Sequence, residues 1–162
     1  MSKLKNARAW LVIENTVSGK IFNRVGLRGS ACNNPGTWNF FGGNVDPGET
    51  YEEALVRELF EETGMIVRAE DLVLLFKENV KTSKGNTKPC AWYSVDYSKV
   101  NINGIRFTPE VSDYDWLDMS WVGRTDLHYS VVSWFSWRLM KDHEHLVDGN
   151  GALAQCKAKG FL

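Results

Sequence analysis

Residues 43–65 read GNVDPGETYEEALVRELFEETGM, and this stretch decides the fold. It opens on glycine, passes through an acidic loop and continues as one helix. Thr50 is a good N-cap residue, and Glu53 stands three positions later, where a capping box places its carboxylate. Gly64 is a good C-terminal stop. Asp46-Pro47-Gly48 forms a turn that sets Glu49 just ahead of the helix. Leu55 and Leu59, spaced i and i+4, predict a stripe buried against a sheet, with Val56 and Phe60 at its edge. Glu58, Glu61 and Glu62 fall at i, i+3 and i+4, so three carboxylates share one helical face. Like charges so placed repel, and a helix usually avoids them unless a cation lies between.

A solvated acidic helix is the competing reading, and the flanking pattern decides against it. Gly43, five residues, Glu49, seven residues, then Arg57-Glu58-Leu59-x-Glu61-Glu62-x-Gly64-Met65 resembles the complete signature of the Nudix hydrolases. The segment before it, GTWNFFGG, looks like the tryptophan-containing strand that leads into that family's catalytic loop, with Phe41 where many members have proline. The resemblance implies an α/β fold, the family's α/β/α sandwich with a mixed sheet between helices. It also implies that Glu58 and Glu62 are direct metal ligands, that Glu61 shares or completes the site, and that the Gly42 carbonyl is a further ligand. Arg57 becomes the residue that orients and holds the glutamates, together with Glu49, while Gly43, Glu49 and Gly64 are structural. Glu58 is the family's usual choice of base from within the signature. Other members recruit a later carboxylate, here Glu110, with Asp113 and Asp115 close behind; an ordinary loop glutamate is the competing reading for Glu110.

Length and composition agree with a single domain over 1–162: 162 residues, 43% hydrophobic, suffice for a substantial core. Formal net charge is -1, and no run of five like charges occurs. Long nucleic acid is therefore disfavoured as an obligate partner, and so is a membrane. The three cysteines lie far apart and show no metal-ligand spacing. With no apolar leader or long apolar run, the expectation is a soluble, reduced, cytoplasmic protein that leaves room for a homodimer.

Along the chain, Ala7–Glu14 and Ile21–Leu27 read as a hairpin across Ser18-Gly19. Several Nudix members set an arginine on this second strand to meet a substrate phosphate, which implies Arg24; a solvated strand-end charge is the equal alternative. Residues 29–36 are loop, and Trp38 to Phe41 a strand whose rings, Trp38 and Phe41, either stack on a base or fill the core. Ile66–Ala69 and Leu72–Val80 look like strands, the latter pairing with Cys90–Tyr97 across KTSKGNTK. Val100–Pro109 is loop, Asp113–Trp116 a half-buried strand that Leu117 extends, and Val131–Asp142 an amphipathic helix. Asp148–Leu162 is weakly patterned. His143 and His145, at i and i+2, do not share a helical face; His128 precedes the last helix and could reach the cleft, though a lone histidine is more often structural.

Clustered carboxylates without histidine or cysteine partners favour a hard cation, so Mg²⁺ is expected, with Mn²⁺ as substitute. Such a site predicts a small nucleotide substrate whose diphosphate bridges the ions. The leading expectation is a pyrophosphohydrolase acting on a nucleoside diphosphate linked to another moiety: a nucleotide sugar, ADP-ribose or a dinucleotide. The alternative is a house-cleaning (d)NTP pyrophosphatase that releases pyrophosphate. A nucleotide sensor without turnover and an RNA 5′-end hydrolase rank below both. Asn79 to Thr82 carry neither the proline nor the tyrosine by which the family's ADP-ribose and diadenosine-polyphosphate subgroups are marked.

Overall fold

A computed structural model describes residues 6–81, 84–101 and 107–142. The elements are β1 (Arg8–Val17), β2 (Lys20–Arg28), β3 (Trp38–Asn39), β4 (Phe41–Asn44), α1 (Tyr51–Thr63), β5 (Val73–Lys81), β6 (Thr87–Asp96), β7 (Val111–Leu117) and α2 (Tyr129–Asp142). Two expectations from sequence, the weak patterning of Asp148–Leu162 and the histidine pair His143 and His145, lie outside the described residues, as do residues 102–106 of the expected Val100–Pro109 loop.

The sheet is built around β1. Its second half pairs antiparallel with β2, from Ile13 opposite Arg24 to Val17 opposite Lys20. Its first half pairs antiparallel with β4, from Arg8 opposite Asn44 to Leu11 opposite Phe41. On its other edge it runs parallel to β6, from Arg8 opposite Cys90 to Glu14 opposite Asp96. β5 extends the sheet antiparallel beyond β6, while β3 and β7 flank β2. The mixed sheet anticipated from the sequence is therefore present.

Strand alternation turns β1 into the wall between two cores. Ala7, Ala9, Leu11 and Ile13 face one way and pack with Ala54, Leu55 and Leu59 of α1. Trp10 and Val12 face the other way and pack with Val131, Trp134 and Phe135 of α2. One helix covers each face, which is the α/β/α layering.

α1 begins and ends where its sequence predicts. Thr50 Oγ1 accepts from Glu53 N–H at 3.1 Å, and Glu53 Oε1 accepts from Thr50 N–H at 3.1 Å, completing the capping box. Gly64 closes the helix in the left-handed region at φ 78°. Leu55 and Leu59 are buried and Val56 packs against the same core, but Phe60 is 51% exposed. The stripe that enters the core runs through Tyr51, Ala54, Leu55 and Leu59, and Phe60 lies off its edge.

Two further expectations change. The Trp38–Phe41 strand is broken at Phe40, because the chain there leaves β2 for β1; Phe40 N–H donates to Ser130 Oγ at 3.3 Å instead of to a strand neighbour. Ile66–Ala69 forms no strand. Ile66 makes one bridge, with Asn101, Val67 enters the core, and Ala69–Asp71 is a single 3₁₀ turn that carries the chain to β5.

Thr50→Ala removes a capping oxygen on which the start of α1 depends. Urea denaturation should show a loss of about 1 kcal/mol with the slope m unchanged.

Candidate active site

The α1 carboxylates are held by one guanidinium. Arg57 makes a two-pronged contact with Glu49, Nε to Oε2 at 2.8 Å and Nη2 to Oε1 at 2.9 Å. Nη2 also donates to the Asn44 carbonyl at 2.9 Å, and Nη1 to Glu58 Oε1 and Glu61 Oε2, each at 3.1 Å. Glu49 closes its own loop by accepting from Asp46 N–H at 2.8 Å. The hydrogen bond from Arg57 pulls the Glu49 carboxyl below its usual range, and the Glu49 contact raises the Arg57 pKa still further. Arg57 thus fixes the loop, the helix and two carboxylates together.

Glu58 and Glu62 occupy the inner face. Burial raises the pKa of Glu58, and Arg57 partly offsets the rise. Glu62, 8% exposed, is raised well above the ordinary carboxylate range by burial first, then by the charges of Glu58 and Glu110. Glu58 and Glu62 are also hydrogen-bonded to each other. Space in front of them is kept by Gly43, where an added Cβ would lie 3.0 Å from Glu58 Cδ. Glu110 is brought close by another tight approach: a Cβ on Gly29 would meet the Pro109 carbonyl at 2.1 Å, and Gly29 N–H donates to the Glu110 carbonyl at 3.0 Å.

Glu58, Glu62, Glu110, Gly42 and Gly43 line a cavity of about 560 Å³. Arg28 lines it too, and its charge acts on Glu62. The cavity continues past β4 to residues on the α2 side of the sheet. These are Arg8 and Trp10 from β1, Lys88 from β6, Asn39 from β3, and His128 and Tyr129 from the start of α2. Trp10, Asn39 and His128 are nine-tenths or more buried, whereas Arg8, Arg28 and Lys88 are partly exposed. None of these three cations has an acidic partner among the ion pairs of the described residues. The cavity therefore joins a carboxylate end to a cation-rimmed, aromatic end.

The carboxylate end suits a hard divalent cation. Its donors are all oxygen, the buried Glu62 carboxyl lies against that of the half-buried Glu58, and no arginine or lysine forms an ion pair with Glu62 among the described residues. A cation held by Glu58, Glu62, Glu110 and the Gly42 carbonyl would offset the burial and the repulsion that raise the Glu62 pKa.

The residues expected from sequence divide between cavity and support. Glu58, Glu62, Glu110 and Gly42 line the cavity. Glu61 lies outside the lining, with its side chain 56% exposed and bound to Arg57. Asp113 and Asp115 accept from the backbone N–H groups of Tyr114 and Trp116 on their own strand. Arg24 is 4.9 Å from the centre of the Trp116 ring and 5.3 Å from that of Tyr114, away from the lining. Trp38 packs edge-on against Trp121, and Phe41 is fully buried beside Tyr114, so both rings are core. Arg8, Trp10, Arg28, Asn39, Lys88 and Tyr129 were not singled out by sequence. Period-two alternation from Ala9, with β1 central, is the signal that would have found Arg8 and Trp10.

The pKa of His128 is pushed down to about 3, by burial first and then by the charges of Arg28, Lys88 and Arg8. Below pH 6.5 the unfolded chain takes up a proton that the folded chain refuses, so stability falls as pH drops towards that value. Urea denaturation of the wild type and of His128→Gln should diverge by roughly 2 kcal/mol between pH 6.5 and pH 5, the wild type losing more.

The family model for the NUDIX domain matches residues 24–137. The nucleoside triphosphatase NudI of Escherichia coli is 32% identical over 88 residues, which are 51% of this chain and 62% of NudI. The chain thus spans less than two thirds of the length of the curated relatives it matches. The MutT NUDIX hydrolase of Burkholderia pseudomallei superposes with a TM-score of 0.62 at 18% identity, covering 79% of this chain and 94% of that one. The MutT protein of Methanosarcina mazei Go1 gives 0.61 at 21% identity, covering 85% and 94%. Both structures share the fold, and the extent of the NUDIX match shows that the chain belongs to the Nudix family.

Proposed function

We propose that the protein is a divalent-metal-dependent hydrolase of nucleoside triphosphates, yielding a nucleoside monophosphate and pyrophosphate. The observation that carries this reading is one cavity with a carboxylate cluster around the buried Glu62 at one end and an aromatic floor at the other, bordered by Arg8, Arg28 and Lys88, which make no ion pair among the described residues. A triphosphate has charge for both the metal and the cations, and the floor suits a base. The similarity to a nucleoside triphosphatase agrees with it. A nucleoside diphosphate joined to a second moiety ranks behind, because that moiety would need a further pocket of its own.

Mg²⁺ is the preferred ion and Mn²⁺ its substitute; when bound, the metal neutralises the phosphate chain and lowers the pKa of the attacking water. Glu58 and Glu62 hold that ion with the Gly42 carbonyl, while Arg57 keeps Glu58 in place. Arg28, between the two ends, meets the phosphates together with Arg8 and Lys88. Glu110 or Glu58 receives the proton of the water. The water oxygen bonds to the α-phosphorus as the bond to the bridging oxygen breaks, and pyrophosphate leaves with that oxygen.

A panel of nucleoside triphosphates, nucleotide sugars and ADP-ribose, assayed with Mg²⁺ or Mn²⁺ and with products identified, tests the reading. Pyrophosphate from triphosphates is expected; turnover confined to the diphosphate derivatives would overturn it. Glu62→Gln should lower kcat on the order of 10²-fold or more. The same variant, free of metal, should be at least as stable as the wild type at pH 7, because a buried carboxylate whose pKa is raised costs stability when ionised.

A further inference from the structure

The floor of the aromatic end contains polar groups that the hydrolytic chemistry does not use. His128 Nδ1 accepts from Ser130 N–H at 3.2 Å and lies 3.0 Å from Ser130 Oγ. Ser130 Oγ already accepts from Phe40 N–H, so its hydroxyl proton is turned to Nδ1. With the ring neutral, both contacts make Nδ1 an acceptor and leave the proton on Nε2. Backbone bonds hold the residue in place: His128 N–H donates to the Trp38 carbonyl at 2.9 Å, and Val131 N–H to the His128 carbonyl at 3.0 Å. The imidazole therefore offers a ligand one polar atom, a donor.

Trp10 stands beside it, with ring centres 5.2 Å apart. Its Nε1–H is closed off from the cavity on the side of the Tyr129 hydroxyl, so Trp10 offers a ligand its ring and no donor. Asn39, 5% exposed, is the other buried polar residue of the floor, but an amide presents either a donor or an acceptor. The imidazole is thus the fixed donor, and the amide adapts.

We infer that His128 makes the cavity selective for nucleobases with an oxo group at purine position 6 or pyrimidine position 4, as in hypoxanthine, guanine, uracil and thymine, over adenine and cytosine, which carry an amino group there. This rests on the nucleotide reading of the same site. The oxo group accepts from the fixed donor. An exocyclic amino group in its place sets donor against donor and leaves both without partners, a mismatch worth about tenfold to a hundredfold in affinity.

Two measurements test it separately from catalysis. Isothermal titration with IMP and AMP, which differ at the 6-position of the purine, should show IMP bound at least tenfold more tightly. The kcat/KM ratios of ITP to ATP and of UTP to CTP should favour the oxo base by a similar factor. In His128→Gln, whose amide can turn either way, both ratios should fall to within about threefold of unity; Trp10→Phe, which keeps an aromatic ring beside the imidazole, should leave them within about threefold of the wild-type values. Long-range ¹H–¹⁵N NMR of the imidazole should show the proton on Nε2, unchanged from pH 8 to pH 5. Equal or reversed preference in a protein that hydrolyses nucleotides overturns the selectivity and leaves the hydrolase reading standing. Tighter binding of IMP without turnover of any nucleotide upholds the selectivity and overturns the hydrolase reading.

Discussion

Both edges and both faces of β1 are committed, and the rest of the molecule is arranged by what this leaves free. Hydrogen bonds to β4 and β2 fill one edge and those to β6 fill the other. Alternation then assigns Ala9 and Leu11 to the α1 core and Trp10 and Val12 to the α2 core, with no residue to spare for a second arrangement. A slip of one residue would exchange the two faces and bury Arg8 against α1. Gly43 lies opposite Ala9 and Gly42 opposite Trp10, so the glycine pair stands where the two sides of the site meet.

The charges follow the same division. On the α1 side five polar groups are spent on Arg57, which leaves that guanidinium no capacity for a substrate. Positive charge for a ligand must come from elsewhere, and it comes from Arg8, Arg28 and Lys88, drawn from three strands. Burial first, and then their shared field, keeps His128 neutral at any physiological pH. The carboxylate end and the cation-rimmed end thereby border one cavity, with Arg28 acting on both Glu62 and His128.

The parts of this fold that could be read from sequence are those fixed by local chemistry. The caps of α1, the i, i+3, i+4 carboxylates and the Ser18-Gly19 hairpin each depend on residues near one another in the chain. The recognition end depends on register between distant segments, and nothing local marks it. Arg24 and Arg28 illustrate the difference. Strict alternation gives them the same face, but the ladder between β2 and β7 is irregular between Leu27 and Arg28. Arg24 stays with Tyr114 and Trp116, and Arg28 turns into the cavity. In the same way Trp38, Phe40 and Phe41 look alike as a run of rings; only the change of partner strand at Phe40 decides which core each one enters.

The Arg57 clamp also explains why the signature has a fixed spacing as well as fixed letters. One rigid, planar group spans from the Asn44 carbonyl and Glu49, in the loop, to Glu58 and Glu61, on the helix. Its reach is therefore a length standard for the five residues between Gly43 and Glu49. An added or deleted residue there would keep every charge and still carry Glu49 out of range, so this loop, unlike most that lie at a protein surface, has no freedom to drift in length.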